Sequence, residues 1–292
     1  MKKLIIGLLA GALLLPVTQM QAGGGWPQPK GHGYFKLYEW WLVADQHFTD
    51  QGLIDPNITF GIFNTSFYAE YGLTDRLTVV LNVPLFSRNY FNNQVSFTTG
   101  EITMPGEAIN SIGDTDFGFQ FGLFSGKGWS ASTILMLGIP LGVDAGGPGG
   151  ILQTGDGEFN QYLRVDLGRG FGFGNVEAYA NVYAGFNNRT NGFSDEYRFG
   201  IEAGVTFLNK KITALARLYG VESLKNGDLP AERSNSTSIF ANNSEHLTIS
   251  PSIAYNINEK WGVSASLGKA ISGEIIFANT SYSVGVFMKL GN

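Results

Sequence analysis

The side chains best equipped for chemistry lie in the second half of the chain. Tyr162, Arg164, Tyr179, Asn181, Tyr183, Arg198, Glu202, Arg217 and Tyr219 offer guanidinium, carboxylate, amide and phenol groups, spaced two apart within each stretch or nearly so. Such a set can hold an aromatic or carboxylate-bearing solute, through cation–π contact with the rings and paired hydrogen bonds from the guanidiniums. The same groups can instead bond to one another, as a salt-bridge network that fills and stiffens a narrow space. Both readings stay open from residue type alone. Covalent chemistry has fewer candidates. The chain has no cysteine, which removes a thiolate nucleophile, a disulfide framework and cysteine-ligated zinc. Of its three histidines, His32, His47 and His246, only His246 has a serine at useful spacing, Ser244. Residues two apart share a face of a strand, but no orienting acid or oxyanion loop accompanies the pair, and a general base needs geometry first. Asp144, Asp156 and Glu158 surround a glycine-rich stretch, yet their spacing matches no calcium loop. No catalytic residue, metal site or cofactor is expected.

The elements that carry these side chains show a period of two. Thr115, Phe117, Phe119, Phe121 and Leu123 alternate with Asp116, Gly118, Gln120 and Gly122. After the turn signal Gly126-Lys127-Gly128, Trp129 to Leu141 alternates in the same way. Comparable stretches run over 34–43, 58–73, 77–85, 159–167, 176–184, 197–207, 212–218, 247–255, 261–267 and 280–290. Strict alternation marks β-strands, about twelve of them. One face is apolar throughout; the other carries Glu, Asp, Arg, Asn and Gly on strand after strand. A soluble sandwich packs its apolar faces on each other in a dry core, whereas here the second face must be wet.

Composition points the same way. The 292 residues include 40 glycines and 13% aromatics, and only 15% are charged, against about 25% in ordinary soluble domains. A net charge of −5 provides no basic field for nucleic acid. Lys2 and Lys3, the apolar run from Leu4 to Leu15 and the boundary at Met20-Gln21-Ala22 read as an export signal, residues 1–22. The run is too short to cross a bilayer as a helix, which takes about 20 residues.

Connections around 74–76, 126–128, 209–210 and 258–260 are short, while 45–56, 89–113, 143–155, 187–194, 222–244 and 269–277 are mostly longer. That alternation suits a transmembrane, antiparallel up-and-down β-barrel with short periplasmic turns and longer outer loops. Residues 34–292 form the barrel in this reading, preceded by a periplasmic or luminal segment, 23–33. The exception is Gly168 to Asn175, a long glycine-rich turn on the short side. No helix follows it to hold a phosphate. Tyr71, Trp129 and Trp261 fall at strand ends, where an aromatic girdle lies.

Register refines the polar set. A tight turn at Asn209-Lys210 sets Glu202 opposite Arg217. Pairing Leu167 with Val176 sets Arg164 opposite Tyr179 and Tyr162 opposite Asn181. Arg164, Asn181, Glu202 and Arg217 then face inward from four adjacent strands.

Several short motifs resemble a known family. They are Gly24-Gly25-Trp26-Pro27-Gln28-Pro29-Lys30-Gly31, Tyr71-Gly72-Leu73-Thr74-Asp75-Arg76-Leu77-Thr78, Gly113-Asp114-Thr115-Asp116-Phe117-Gly118 and Gly138-Ile139-Pro140-Leu141-Gly142. Together they resemble the outer-membrane barrels grouped as "MetA-pathway of phenol degradation", loosely related to channels for long-chain fatty acids and toluene. The resemblance implies passive passage of small hydrophobic or aromatic compounds through the outer membrane, without a cofactor. Outer-membrane lipid, such solutes and the barrel-assembly machinery are the expected partners. The alternatives are a closed structural or interaction barrel working through its outer loops and, further off, a lipid-active barrel enzyme.

Overall fold

The computed structural model describes residues 24–147, 150–229 and 239–291. The export signal and its boundary at Ala22 lie outside the described residues, as does part of loop 222–244.

Twelve long strands form one sheet: β1 (Gly33–Phe48), β2 (Ile54–Gly72), β3 (Leu77–Phe91), β4 (Thr115–Gly126), β5 (Trp129–Ile139), β6 (Asn160–Phe173), β7 (Val176–Asn188), β8 (Glu196–Phe207), β9 (Ile212–Ser223), β10 (Glu245–Asn256), β11 (Trp261–Glu274) and β12 (Ser281–Leu290). Each pairs antiparallel with the next, and β12 returns to β1 from Gly33 opposite Leu290 to Leu42 opposite Ser281. The sheet is therefore closed and leaves no edge unpaired, one of two ways a chain can satisfy its backbone in lipid. Two to four residues join strands at one end of the barrel. At the other, the loops run from five residues (49–53) to 23 (92–114). Within the long loops, Gln94–Val95 pairs with Ile102–Met104, Glu107–Ser111 pairs antiparallel with the outer end of β3, and Ile276–Phe277 lies beside the outer end of β1.

Alternation inverts the usual inside and outside. Leu135, Leu163, Val165, Ile201, Ile253, Val284 and Val286 are exposed, while Thr78, Gln120, Ser132, Asp166 and Asn181 are buried inward. An exposed apolar belt around a polar interior is the arrangement of a membrane barrel, since lipid and not water is the favourable solvent for that belt. Trp129 and Trp261 open β5 and β11 beside short turns, and Tyr71 closes β2 there. These rings mark the inner girdle. At the outer end, Leu42, Ala44, Ile62 and Phe277 pack inside the barrel with Trp40, Phe60 and Ile239.

Two expectations are corrected. The stretch from Gly168 is no turn: β6 continues to Phe173, and only Gly174 and Asn175 connect it to β7. Glycine was mistaken for flexibility where it provides room, since Trp26 occupies the space beside Gly168. The β6–β7 register shifts in consequence. Arg164 faces Gly185, Tyr162 faces Asn187, Asn181 faces Gly168 and Tyr179 faces Gly170. The slip changes each partner by six positions, an even number, so every side chain keeps its face. The β8–β9 register is as read, with Glu202 opposite Arg217.

Candidate functional site: the barrel lumen

The inward faces enclose a cavity of about 1270 Å³. Eight of the nine residues named from sequence line it: Tyr162, Arg164, Tyr179, Asn181, Tyr183, Glu202, Arg217 and Tyr219. Arg198 does not. Near the outer end of β8 it forks onto Glu196, with Nε and Nη2 donating over 3.0 and 2.7 Å, and its guanidinium covers the Tyr162 ring at 5.3 Å.

The lining groups are joined. Arg217 Nε donates to Glu202 Oε2, and the Tyr179 hydroxyl donates to Oε1 of the same carboxylate. On β6, Arg164 Nε donates to Asp166 Oδ2 at 2.7 Å, and Asn181 Nδ2 donates to Asp166 Oδ1 at 3.0 Å. The Arg164 guanidinium lies 4.7 Å from the centre of the Tyr183 ring. Arg164 is thus held by Asp166 and covered by the Tyr183 ring, and Arg217 is held by Glu202, whose other oxygen takes the Tyr179 hydroxyl. Sequence reading missed Asp166, which shares a face with Arg164 at i, i+2. It also missed Tyr34, Lys36, Tyr68 and Glu70, which complete the wall from β1 and β2. Their strands alternate as clearly as the others, and that signal could have found them.

The contacts of the segment before β1 were also not read from sequence. Residues 24–31 run into the lumen from the end with the short turns. Gly25 N donates to Asn181 Oδ1 at 3.1 Å, Ser130 Oγ donates to Gly25 O at 2.7 Å, and Ser132 Oγ and Gln120 Nε2 donate to Gly24 O. Gln28 is fixed by Thr78 Oγ1, which accepts from its backbone N–H at 2.8 Å, and by Glu70 Oε2, which accepts from Nε2 at 2.8 Å. The Trp26 ring meets Tyr179 edge-on at 6.0 Å. Asn181 therefore touches both Asp166 on the wall and Gly25 on the segment, and Tyr179 touches both Glu202 and Trp26.

A second charged cluster stands above the lumen. Arg189 is buried and bonded to Glu158 Oε1 (2.5 Å), Glu196 Oε1 (2.7 Å) and Asp156 Oδ2 (3.0 Å), with the Phe193 ring 4.4 Å away. Burial opposes its charge, but the three carboxylates more than offset this and raise its pKa. Burial also raises Glu158, against the pull of Arg189. The cation among these acids is the Arg189 guanidinium. Nearby, Asp114 accepts backbone N–H bonds from Gly142 and Asp156, both at 2.8 Å. Burial pushes its carboxyl up to about 7 despite those bonds, helped by the neighbouring charge of Asp156. His246 is taken up by packing: Nδ1 lies 3.0 Å from Thr248 Oγ1 and the ring abuts Tyr219.

No family model matches the chain, and no curated protein does. Solved structures do. An outer membrane channel from Pseudomonas putida F1 superposes with a TM-score of 0.58 at 13% identity, over 93% of this chain and 100% of that one. The fold is that of an outer-membrane barrel. The NanC porin aligns with a TM-score of 0.49 at 6% identity, covering 88% of this chain and 100% of its own. The KdgM porin in complex with disordered oligogalacturonate aligns with a TM-score of 0.45 at 10% identity, covering 87% and 98%. The first of these likenesses supports the barrel fold and leaves the narrower family label where the sequence motifs left it.

Proposed function

We propose that this barrel sits in the bacterial outer membrane and passes small hydrophobic or aromatic molecules down their gradient. The observation that carries the reading is the lumen: a cavity of about 1270 Å³ lined by Tyr34, Tyr68, Tyr179, Tyr183 and Tyr219, with Arg164 and Arg217 among them. Phenol rings stack with aromatic solutes, and half-satisfied guanidiniums attract a carboxylate, so selectivity follows from width and polar lining. The apolar cluster of Leu42, Ile62 and Phe277 at the outer end suits entry of a solute with little polar surface. No step needs a cofactor, because the gradient supplies the free energy.

A second reading is favoured by the segment 24–31, which is tied into the lumen by six hydrogen bonds to side chains of the wall. In that reading the barrel is shut and acts through its outer loops, 92–114 and 224–244. Solute flux into liposomes carrying the purified barrel separates the two. Faster uptake of a simple aromatic acid and a neutral aromatic than of a small sugar supports the selective channel. Equal passage of all three points to a general pore, and no passage supports the closed barrel.

A further inference from the structure

On β1 the inward set Tyr34, Lys36, Tyr38 and Trp40 lines the lumen, which turns Glu39 outward, between Leu37 and Trp41. Directly opposite it stand Thr65 on β2 and Val284 on β12. Glu39 is the seventh residue of its strand from the inner end, well inside the apolar belt. Thr65 Oγ1 donates to Oε2 at 2.7 Å, and no ion pair reaches Glu39 among the described residues. A carboxylate facing hydrocarbon is costly, and such groups generally serve a binding or transport role.

Beside it the wall is indented. A groove of about 580 Å³ runs from Glu39 across β12 and β11 to β10, flanked by Leu37, Ile253, Val263, Val284 and Val286. Tyr38, Ser264 and Gly285 also border it. They belong to the inward set, so backbone forms the floor, and Ala265 leaves the groove open where a larger outward side chain would fill it. Its volume is that of a small-molecule site.

We infer that this groove binds a hydrophobic amine, the ammonium on Glu39 and the hydrocarbon tail along Val284, Val263 and Ile253. Charge complementarity selects the head group: of the three amphiphiles only the ammonium offsets a carboxylate charge, whereas an alcohol leaves it in lipid and a fatty acid anion adds to it. Concavity argues against a second copy of the chain. A two-fold contact sets hollow against hollow and brings the two Glu39 carboxylates together. The site lies outside the lumen and stands whether or not the lumen conducts.

The test is photolabelling of the folded barrel in lipid nanodiscs with dodecylamine carrying a tail diazirine, beside the matching dodecanol and dodecanoic acid. The amine should label the peptides of β10 to β12 about ten-fold more than the alcohol, a difference of about 1.4 kcal/mol. Glu39→Gln should bring amine labelling down to the alcohol level. Ala265→Phe, which keeps the carboxylate and fills the groove, should abolish the excess as well. Heat-dependent migration on gels confirms that each variant is folded, and both lie on the lipid face, where a Gln or Phe leaves the ladder intact. Equal labelling by all three probes, or undiminished amine labelling in Glu39→Gln, would overturn the site. Probe-independent dimers that vanish with Glu39→Gln would overturn it in favour of self-association.

Discussion

The indole of Trp26 fills the space that a side chain at position 168 would need. A Cβ on Gly168 would come within 2.3 Å of the Trp26 ring, and Gly25 packs against the same backbone at the Gly168 amide nitrogen. Glycine on β6 is therefore a notch for the luminal segment, and Tyr179 closes it from the neighbouring strand.

Widening or blocking that notch should act on conductance. Trp26→Ala removes the ring that narrows the inner mouth, and single-channel conductance in planar bilayers should rise roughly two-fold or more, as expected when pore width limits passage. Gly168→Val fills the notch and drives the ring off the wall into the lumen, so conductance should fall. Unchanged conductance in both would mean that the segment does not lie in the path of ions.

The barrel was legible in sequence because its two faces meet different solvents, which imposes a period of two over whole strands. Register was legible only where a turn was. Asn209-Lys210 fixed Glu202 opposite Arg217, but the glycines from 168 to 174 hid a strand behind turn-like composition, and the β6–β7 pairing moved with it. The candidates on β6 and β7 still face inward because an even slip preserves the face, while Arg198 on β8 lies outside the cavity lining. A segment over 23–33 was legible as periplasmic or luminal, but its contacts were not, since its bonds run from Gly24, Gly25 and Gln28 to residues 42 to 156 positions away, and nothing in Gly-Gly-Trp-Pro-Gln-Pro shows which wall it will meet.

Glu202 links the wall to that segment through Tyr179, so its removal should register in transport more than in stability. Arg217 is half exposed in a wet lumen, and water screens the pair. Glu202→Ala should cost no more than about 1 kcal/mol in urea unfolding. Freed from its carboxylate, Arg217 attracts anions more strongly, and liposome uptake of an aromatic acid should change about two-fold relative to a neutral aromatic. Stability and flux both unchanged would leave the pair without either role.

Arg189 should behave in the opposite way. Its side chain is 4% exposed and pairs with Glu158, Glu196 and Asp156 above the lumen. Arg189→Leu strands buried carboxylates, a loss of about 3–5 kcal/mol at neutral pH. Burial holds the Glu158 carboxyl above its usual range, so acidification neutralises it and the deficit against wild type should shrink at pH 4. Urea midpoints of both proteins at pH 4 and pH 7 check this; a deficit independent of pH would show that packing against Phe193, and not charge, is what Arg189 supplies.

Asp114 should make the docking of the 140–159 loop pH-dependent. Its carboxyl accepts the Gly142 and Asp156 amides, and burial raises it to about 7. With the loop undocked, the carboxyl returns to the ordinary value of about 4. The docked state thus holds the proton more tightly. Below pH 4 both states are protonated and docking is at its firmest; between about 4 and 7 the undocked loop ionises first and docking weakens; above 7 both are ionised and the loss is complete. Exchange of the Gly142 and Asp156 amides, corrected for intrinsic rates, should therefore lose protection as pH rises from 4 to 7 and then level off. Asp114→Asn keeps an acceptor without the charge and should flatten that profile. If the profile keeps its slope in Asp114→Asn, Asp114 is not the group that controls docking of the loop.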